Sequence, residues 1–254
     1  MQNASKTNIV ITMAGRGSRF YDAGYTVPKY EISAHWKSLF AWSLLSLHHF
    51  ITQHARVIFV CLAENQSTPF ITQECKALGI DNYKIIEINE LTDGQATTAY
   101  ISHPHWDMNG SLLVYNIDTF VQPRSLHPDM IAAHANGWIP CFKVPGNHWS
   151  FVDINQDGWA TNVEEKNRIS DYASIGLYWF EKANDYIDAY NTYFSNKQNL
   201  VKNERYIAPL YNHLINHNKK IAISDLPRED VHVLGTPAEL DIFLAKTITL
   251  SVRG

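Results

Sequence analysis

The sequence is short of cysteine, of charge and of long hydrophobic runs, and each shortage excludes something. Its three cysteines, Cys61, Cys75 and Cys141, are an odd number, widely spaced and without a Cys-x-x-Cys pair. They can build neither a disulfide framework nor a zinc ribbon. Charged residues make up only 18% of the 254-residue chain, and 21 Lys and Arg against 25 Asp and Glu leave a net charge of −4. No basic excess draws the protein to nucleic acid or to an anionic membrane. The longest apolar stretch, Leu39 to Leu47, is interrupted by serine and falls far short of the ~20 residues that span a bilayer. The opening MQNASKTNIVITM has one lysine and an apolar run too short for the core of a secretory leader. A reduced, cytoplasmic protein is the expectation.

What is present is apolar and aromatic. Hydrophobic residues reach 45%, with 7 Trp, 13 Tyr and 11 Phe, which is core material rather than the composition of a disordered chain. Asn8 to Met13 and Arg56 to Leu62 read as buried strands, and Lys84 to Ile88 and Ser111 to Tyr115 as a third and a fourth strand. Helices alternate with them: Ser38 caps one from Leu39 to about His54, Thr68-Pro69 opens another to Leu78, and a third spans Gln95 to Ser102. That alternation predicts an α/β fold with a single doubly wound, mostly parallel sheet. From Gly137 the rhythm changes. Strands are expected at Gly137–Val144, Trp149–Ile154, Trp159–Glu165 and Ala173–Phe180. Helices are expected at Glu181–Phe194, at Glu204–His217, which contains Pro209, and from Thr236-Pro237 to Lys246. The whole is read as one domain over residues 1–254, with an α/β first half (1–136) and a mixed β second half (137–254).

The first strand runs into Gly15-Arg16-Gly17-Ser18-Arg19. Glycines there let backbone N–H groups approach an anion closely. The dinucleotide and P-loop fingerprints both fail: Phe20 stands where the first needs a small residue, and the second's Gly-Lys-Ser/Thr ending is absent. Arg19 follows the loop directly, and Lys29 returns ten residues later on a segment stiffened by Pro28. Two cations at one glycine loop suit a triphosphate whose leaving group is pyrophosphate. A plain glycine turn with solvated cations fits the loop alone equally well.

The wider pattern resembles the nucleotidyltransferase family that activates phosphorylated sugars and related small molecules. Gly15, Gly17, Ser18, Arg19, Pro28 and Lys29 fit its Gly-x-Gly-Ser/Thr-Arg…Pro-Lys signature. Gly94-Gln95-Ala96, Asp118, Glu165-Lys166, the Gly176-x-Tyr178-x-Phe180 strand and Gly235-Thr236-Pro237 follow in the family's order. The resemblance implies a Rossmann-like nucleotidyltransferase fold, a nucleoside triphosphate and a phosphorylated small-molecule acceptor as partners, and Mg2+ as cofactor. It implies that Ala14 to Gly17, Ser18, Gly94 and Gln95 hold nucleotide. Arg19 and Lys29 would neutralise the triphosphate, Lys166 the acceptor phosphate, and Glu165 and Gly176 would complete the acceptor site. Asp118 would carry the metal. Val233 occupies the place of the family's second metal-binding aspartate, and Asp230, Asp225 and His232 are the neighbouring candidates, Asp230 the nearest.

Within the family, Pro28-Lys29-Tyr30-Glu31-Ile32, the Lys37 to Ser43 run and Asn116-Ile117-Asp118-Thr119 resemble a capsule-locus subgroup. That subgroup is similar to enzymes that use CTP with acceptors that need not be sugars, phosphoglutamine among them. Two other readings stand beside this one. Asn116-x-Asp118 could be the metal motif of a glycosyltransferase of related architecture, and Val233 could mark a non-catalytic nucleotide sensor. The first leaves Arg19 and Lys29 unexplained. A homo-oligomer is compatible with the sequence, while nucleic acid and membrane are not expected partners. Asp153 to Glu164 matches the calcium-loop pattern, but Pro145 and Gly146 upstream cannot continue a helix, so a β-hairpin is expected there. His48, His49, His103 and His105 read as surface histidines.

Overall fold

The computed structural model describes residues 7–52 and 54–250. Residues 1–6, on which the leader reading rests in part, lie outside the described residues. Strand β1 (Thr7–Met13) buries Ile9, Val10 and Ile11 completely. Alternate side chains go to opposite faces: Ile9 and Ile11 join one apolar cluster and Val10 the other. The short helix α1 (Ser18–Asp22) follows, then a ribbon of β2 (Ser33–Ala34) and β3 (Lys37–Ser38). Helix α2 (Leu39–Ser46) begins where the Ala41 N–H donates to Ser38 Oγ at 3.0 Å. Next come β4 (Ala55–Leu62), α3 (Thr68–Leu78), β5 (Tyr83–Ile88), α4 (Gln95–Ile101) and β6 (Ser111–Asn116). Strands β5, β4, β1 and β6 lie side by side in that order, all parallel. Parallel neighbours need crossovers, and the helices supply them.

After β7 (Thr119–Val121) the chain builds β8 (Gly137–Lys143), β9 (Ser150–Ile154), β10 (Ala160–Glu165), β11 (Tyr172–Ser174) and β12 (Leu177–Phe180). Helices α5 (Ala183–Tyr193) and α6 (Leu210–Asn216), strands β13 (Ile221–Leu226) and β14 (Val231–Val233), and helix α7 (Pro237–Leu244) complete it. Strand β12 lies antiparallel between β6 and β8, so one sheet runs through both halves in the order β10-β9-β11-β8-β12-β6-β1-β4-β5, with β13 parallel to β8. Strand β14 pairs with β7 in a separate ribbon that brings Val233 opposite Thr119. The fold is the expected α/β class with a mixed second half.

Several elements differ from the sequence reading. Helix α2 stops at Ser46, whose Oγ accepts the Val121 N–H at 2.9 Å, and the chain then turns so that Leu47 and Phe50 stay buried. Of its expected continuation to His54, Gln53 lies outside the described residues. The strand expected from Ala173 to Phe180 is broken at Gly176, which sits at φ 82°. The helix expected from Glu204 begins only at Leu210, because the backbone of Arg205 is committed elsewhere: its N–H donates to Asp93 O at 2.7 Å and its carbonyl accepts from Ala96 N at 3.0 Å. Strand β13 has no counterpart in the sequence reading. The calcium-loop lookalike is the β9–β10 hairpin, where Asn155 Oδ1 accepts the N–H groups of Asp157 and Trp159 at 3.0 Å.

Candidate active site

The C-terminal ends of β1 and β6 and the start of α4 enclose a cleft of about 410 Å3. Clefts at the carboxyl ends of parallel strands are where α/β sheets bind ligands. Ala14 and Gly15 line it, and a Cβ on Gly15 would meet nothing within 4 Å. Gly17 and Ser18 do not line it; they shape the turn. Gly17 is left-handed at φ 63°, a conformation that favours glycine, and the stem of Lys29 packs beside it. Lys29 Nζ donates to Asp118 Oδ2 at 2.6 Å. Burial pushes the Asp118 carboxyl up, but Lys29, with Arg19 beyond it, more than offsets this and holds it below the usual value. Asp118 is therefore ionised at neutral pH.

Gly94 and Gln95 stand on the far wall. Gly94 has φ 140°, and a Cβ there would lie 2.4 Å from Arg205 O, so the crossing segment 204–206 requires glycine. Gln95 Nε2 donates to Thr12 Oγ1 at 3.1 Å and to Asn116 Oδ1 at 2.6 Å. Both amide hydrogens brace the floor between β1 and β6. Any contact from Gln95 to a base falls to its carbonyl oxygen or to backbone.

A second cleft of about 320 Å3 adjoins the first, and Gln95, Asn116 and Asp118 line both. Arg19, Glu165, Lys166 and Gly176 all face this second space. Gly176 is indispensable to the junction, since a Cβ on it would sit 2.0 Å from Asn116 Nδ2. Lys166 follows β10 in a left-handed conformation, φ 57°, with its N–H donating to Trp149 O at 2.9 Å. Its ammonium donates to the Tyr206 hydroxyl and lies 4.3 Å from that ring's centroid. The Tyr206 hydroxyl in turn donates to the Glu204 carboxylate, and Glu204 lines the first cleft. Glu165 is buried and accepts from the Ser150 hydroxyl, which also contacts Tyr178 Oη at 3.2 Å. Burial raises its pKa; the Ser150 bond and Lys166, 4.0 Å away, offset that only partly.

The comparisons fit this geometry. The nucleoside-diphosphate-sugar pyrophosphorylase of Vibrio cholerae RC9 is 36% identical and superposes with a TM-score of 0.87, covering 94% of this chain and 100% of that one. The chain belongs to the nucleotidyltransferase family. The inositol-1-phosphate CTP transferase of T. maritima (13% identity, TM-score 0.72) and a Bacillus anthracis protein assigned as a glucose-1-phosphate thymidylyltransferase (13%, 0.75) share the fold. Each covers 94% of this chain and is itself covered over 94% of its length. No protein-family model and no curated protein sequence matches the chain.

In this nucleotidyltransferase the expected second acidic ligand, Asp230, lies away from Asp118. It is bound by Arg124 at 2.6 and 3.2 Å and by the Ser125 hydroxyl, and it lines neither cleft. The reason is topological: the N–H of Gln122 donates to Asp230 O, at the far end of the β7–β14 ribbon from Asp118. Asp225 pairs with Lys143 at 2.8 Å, and His232 stacks on Phe120. Instead, Glu239 at the start of α7 faces Asp118 across Gly235. A Cβ on Gly235 would lie 3.3 Å from Asp118 Oδ2 and 3.5 Å from Glu239 Oε2. These hard oxygen donors fit Mg2+, which takes one or two carboxylates and fills its remaining positions with water and phosphate oxygens. Among the described residues no group of three or more His, Cys, Asp or Glu could hold a metal by itself. His49 stacks on His127 with centroids 3.8 Å apart, and His103 lies 4.7 Å from Tyr100.

Several site-facing residues escaped the sequence reading. Glu204 and Tyr206 carry no local signal, because only the Gly94 crossing brings them in. Glu239 follows Gly235-Thr236-Pro237 in a position that reads as a helix cap, which it completes with Thr236. Among the described residues no helix is long and apolar enough to cross a membrane.

Proposed function

We propose that the enzyme transfers a nucleotidyl group from a nucleoside triphosphate to a phosphorylated small molecule and releases pyrophosphate. The observation that carries this reading is the meeting of two clefts at Asp118, with Lys29 lining the first and Arg19 and Lys166 lining the second. An acceptor phosphate oxygen attacks the α-phosphorus, the bond from that phosphorus to its bridging oxygen breaks, and pyrophosphate leaves with the electron pair. A phosphate monoester, with a second pKa of about 6, is mostly a dianion at pH 7 and needs no general base. The task is to hold two polyanions together and stabilise the leaving group.

In this reading the backbone of Ala14 to Gly17, with Ser18, Gly94 and Gln95, holds the nucleotide. Lys29 and Arg19 stabilise the triphosphate, and Lys166 holds the acceptor phosphate, its head fixed by Tyr206. Glu165, positioned by Ser150 and beside Lys166, accepts from an acceptor hydroxyl or amine, and Gly176 keeps the junction open. Asp118 and Glu239 would hold Mg2+, and Lys29, which pairs with Asp118 at 2.6 Å, would serve the triphosphate beside it. When bound, Mg2+ neutralises charge on the phosphates. CTP is the nucleotide we favour, with a sugar phosphate or a phosphorylated amino acid such as phosphoglutamine as acceptor. The chain would act as one unit in the cytoplasm, supplying a precursor of capsule or surface polysaccharide.

The test is pyrophosphate release with Mg2+, crossing CTP, UTP, dTTP, ATP and GTP against sugar 1-phosphates and phosphorylated amino acids. Release from one pair is expected and names both substrates. Release of free nucleotide from a nucleotide sugar would point to a glycosyltransferase instead. Binding of nucleotide with no turnover across the panel would point to a sensor.

A further inference from the structure

Behind the second cleft lies a smaller chamber of about 200 Å3. His148, Trp149, Val233 and Glu239 line both spaces and form their boundary. The chamber's other walls are largely apolar, from Val144, Pro145 and Phe243, but two cations face it, Arg228 and Lys246. Arg228 is fixed in place: it donates to Val231 O at 2.8 Å and lies 5.4 Å from the Phe142 ring centroid. Among the described residues neither cation forms an ion pair.

The other polar groups compensate them only in part. His232 is buried and stacked on Phe120, and burial, with Lys246 and Arg228 nearby, lowers its pKa to about 4, so it is neutral near pH 7. Glu239 is the one acidic residue lining the chamber, and its Oε2 accepts from the Thr236 hydroxyl at 2.8 Å. Val233 adds no charge at the boundary. Both cations are exposed, and two of them against one carboxylate leave the lining with an excess of positive charge beside an apolar wall, which favours an anion.

We infer that this chamber extends the acceptor site and receives a carboxylate carried by the phosphorylated acceptor. The inference rests on the second cleft being the acceptor site. The phosphate sits by Lys166, the body of the acceptor passes Trp149 and Val233, and its carboxylate ends between Arg228 and Lys246. The apolar walls suit a short carbon arm between the two anions, and a guanidinium offers a carboxylate paired donors. Together the two spaces fall in the ~300–1,000 Å3 range of small-molecule sites.

Two matched pairs of probes isolate the carboxylate: glucuronate 1-phosphate against glucose 1-phosphate, and phosphoserine against phosphoethanolamine. Calorimetric titration with Mg2+, with and without α,β-methylene CTP, measures their affinities. The carboxylate member of at least one pair should bind ten-fold or more tightly than its partner. Arg228→Gln/Lys246→Gln should reduce that preference to under three-fold, leaving affinity for the other member unchanged. Lys246→Gln alone, at a side chain with no ion pair to lose, should halve the logarithm of the preference and guards against misfolding of the double variant. No preference in either pair, or a preference that survives both substitutions, overturns the inference. Failure of the reaction would show differently, as no pyrophosphate release from any nucleotide while the binding preference persists.

Discussion

The two clefts are made from different materials. On the side we propose for the nucleotide the chain presents backbone: a glycine turn after β1 and the Gly94 approach before α4, with side chains such as Gln95 turned inward as braces. On the side we propose for the acceptor it presents side chains held by one another, Lys166 by Tyr206, Tyr206 by Glu204, and Glu165 by Ser150. Backbone sites tolerate little change of shape and recognise what all triphosphates share. Side-chain networks can be retuned one residue at a time, which is what a family with varied acceptors requires. The comparison predicts that substitutions on the first side remove the fold or the reaction, whereas those on the second shift affinity for one substrate.

Gly94→Ala should have the largest effect. Its Cβ would meet the Arg205 backbone at 2.4 Å and the residue would keep φ 140°, so a loss of order 3 kcal/mol is expected, read as a fall in Tm. A wild-type melting curve would mean that segment 204–206 can lift away, and the two sides would then be less distinct than described. Lys29→Ala should lower kcat by roughly 10²–10³-fold with the far-ultraviolet circular dichroism unchanged, the scale of losing one preorganised charge stabiliser. Near-normal turnover would remove Lys29 from the triphosphate site.

Tyr206→Phe sharpens the contrast. It keeps the ring under the Lys166 ammonium and deletes only the hydroxyl, so the acceptor KM should rise by about ten-fold while the nucleotide KM stays put. Equal changes in both constants would mean that the Glu204–Tyr206 link serves both clefts. Glu165→Gln tests the cost of a buried charge. Because burial raises the Glu165 pKa above its unfolded value, the folded state is favoured where the group is protonated, and that advantage is lost as pH rises through the raised pKa. At pH 7 the glutamine variant should therefore melt slightly higher than wild type while binding acceptor more weakly. A lower Tm would mean that the Ser150 contact outweighs desolvation.

The smallest effect on catalysis is expected for Asp230→Asn. Burial opposes its charge, but Arg124 and Ser125 hold its pKa below the usual value, so its stabilisation is present above the unfolded pKa and lost as pH falls through the folded one. The variant should melt a few degrees lower at neutral pH with kcat and Mn2+ affinity unchanged. Loss of metal affinity would return Asp230 to the metal site.

The legibility of the molecule follows the same division. Strands β1, β4 and β6 were readable because a buried parallel strand is a short β-branched run ended by a turn, a purely local signal. The glycine loop was readable because its backbone demands are met by residue type at fixed spacing, and Lys29 because Pro28 stiffens the segment that carries it. The false helix over 204–209 shows the limit. Local propensity favoured helix there, and two backbone hydrogen bonds to Asp93 and Ala96, more than a hundred residues away, overrode it. Asp230 erred for a similar reason: nearness in sequence to Val233 mattered less than its position along the β7–β14 ribbon.

By itself, then, the sequence determined the α/β class, the order of the parallel strands' elements and the cationic glycine loop, since each depends on contacts within a few residues. Only the tertiary structure decided that Glu239 rather than Asp230 faces Asp118, that Tyr206 holds Lys166, and that Arg228 and Lys246 share a chamber beside the acceptor cleft. Those pairings join segments far apart along the chain, and nothing in one segment specifies which surface of another it will meet.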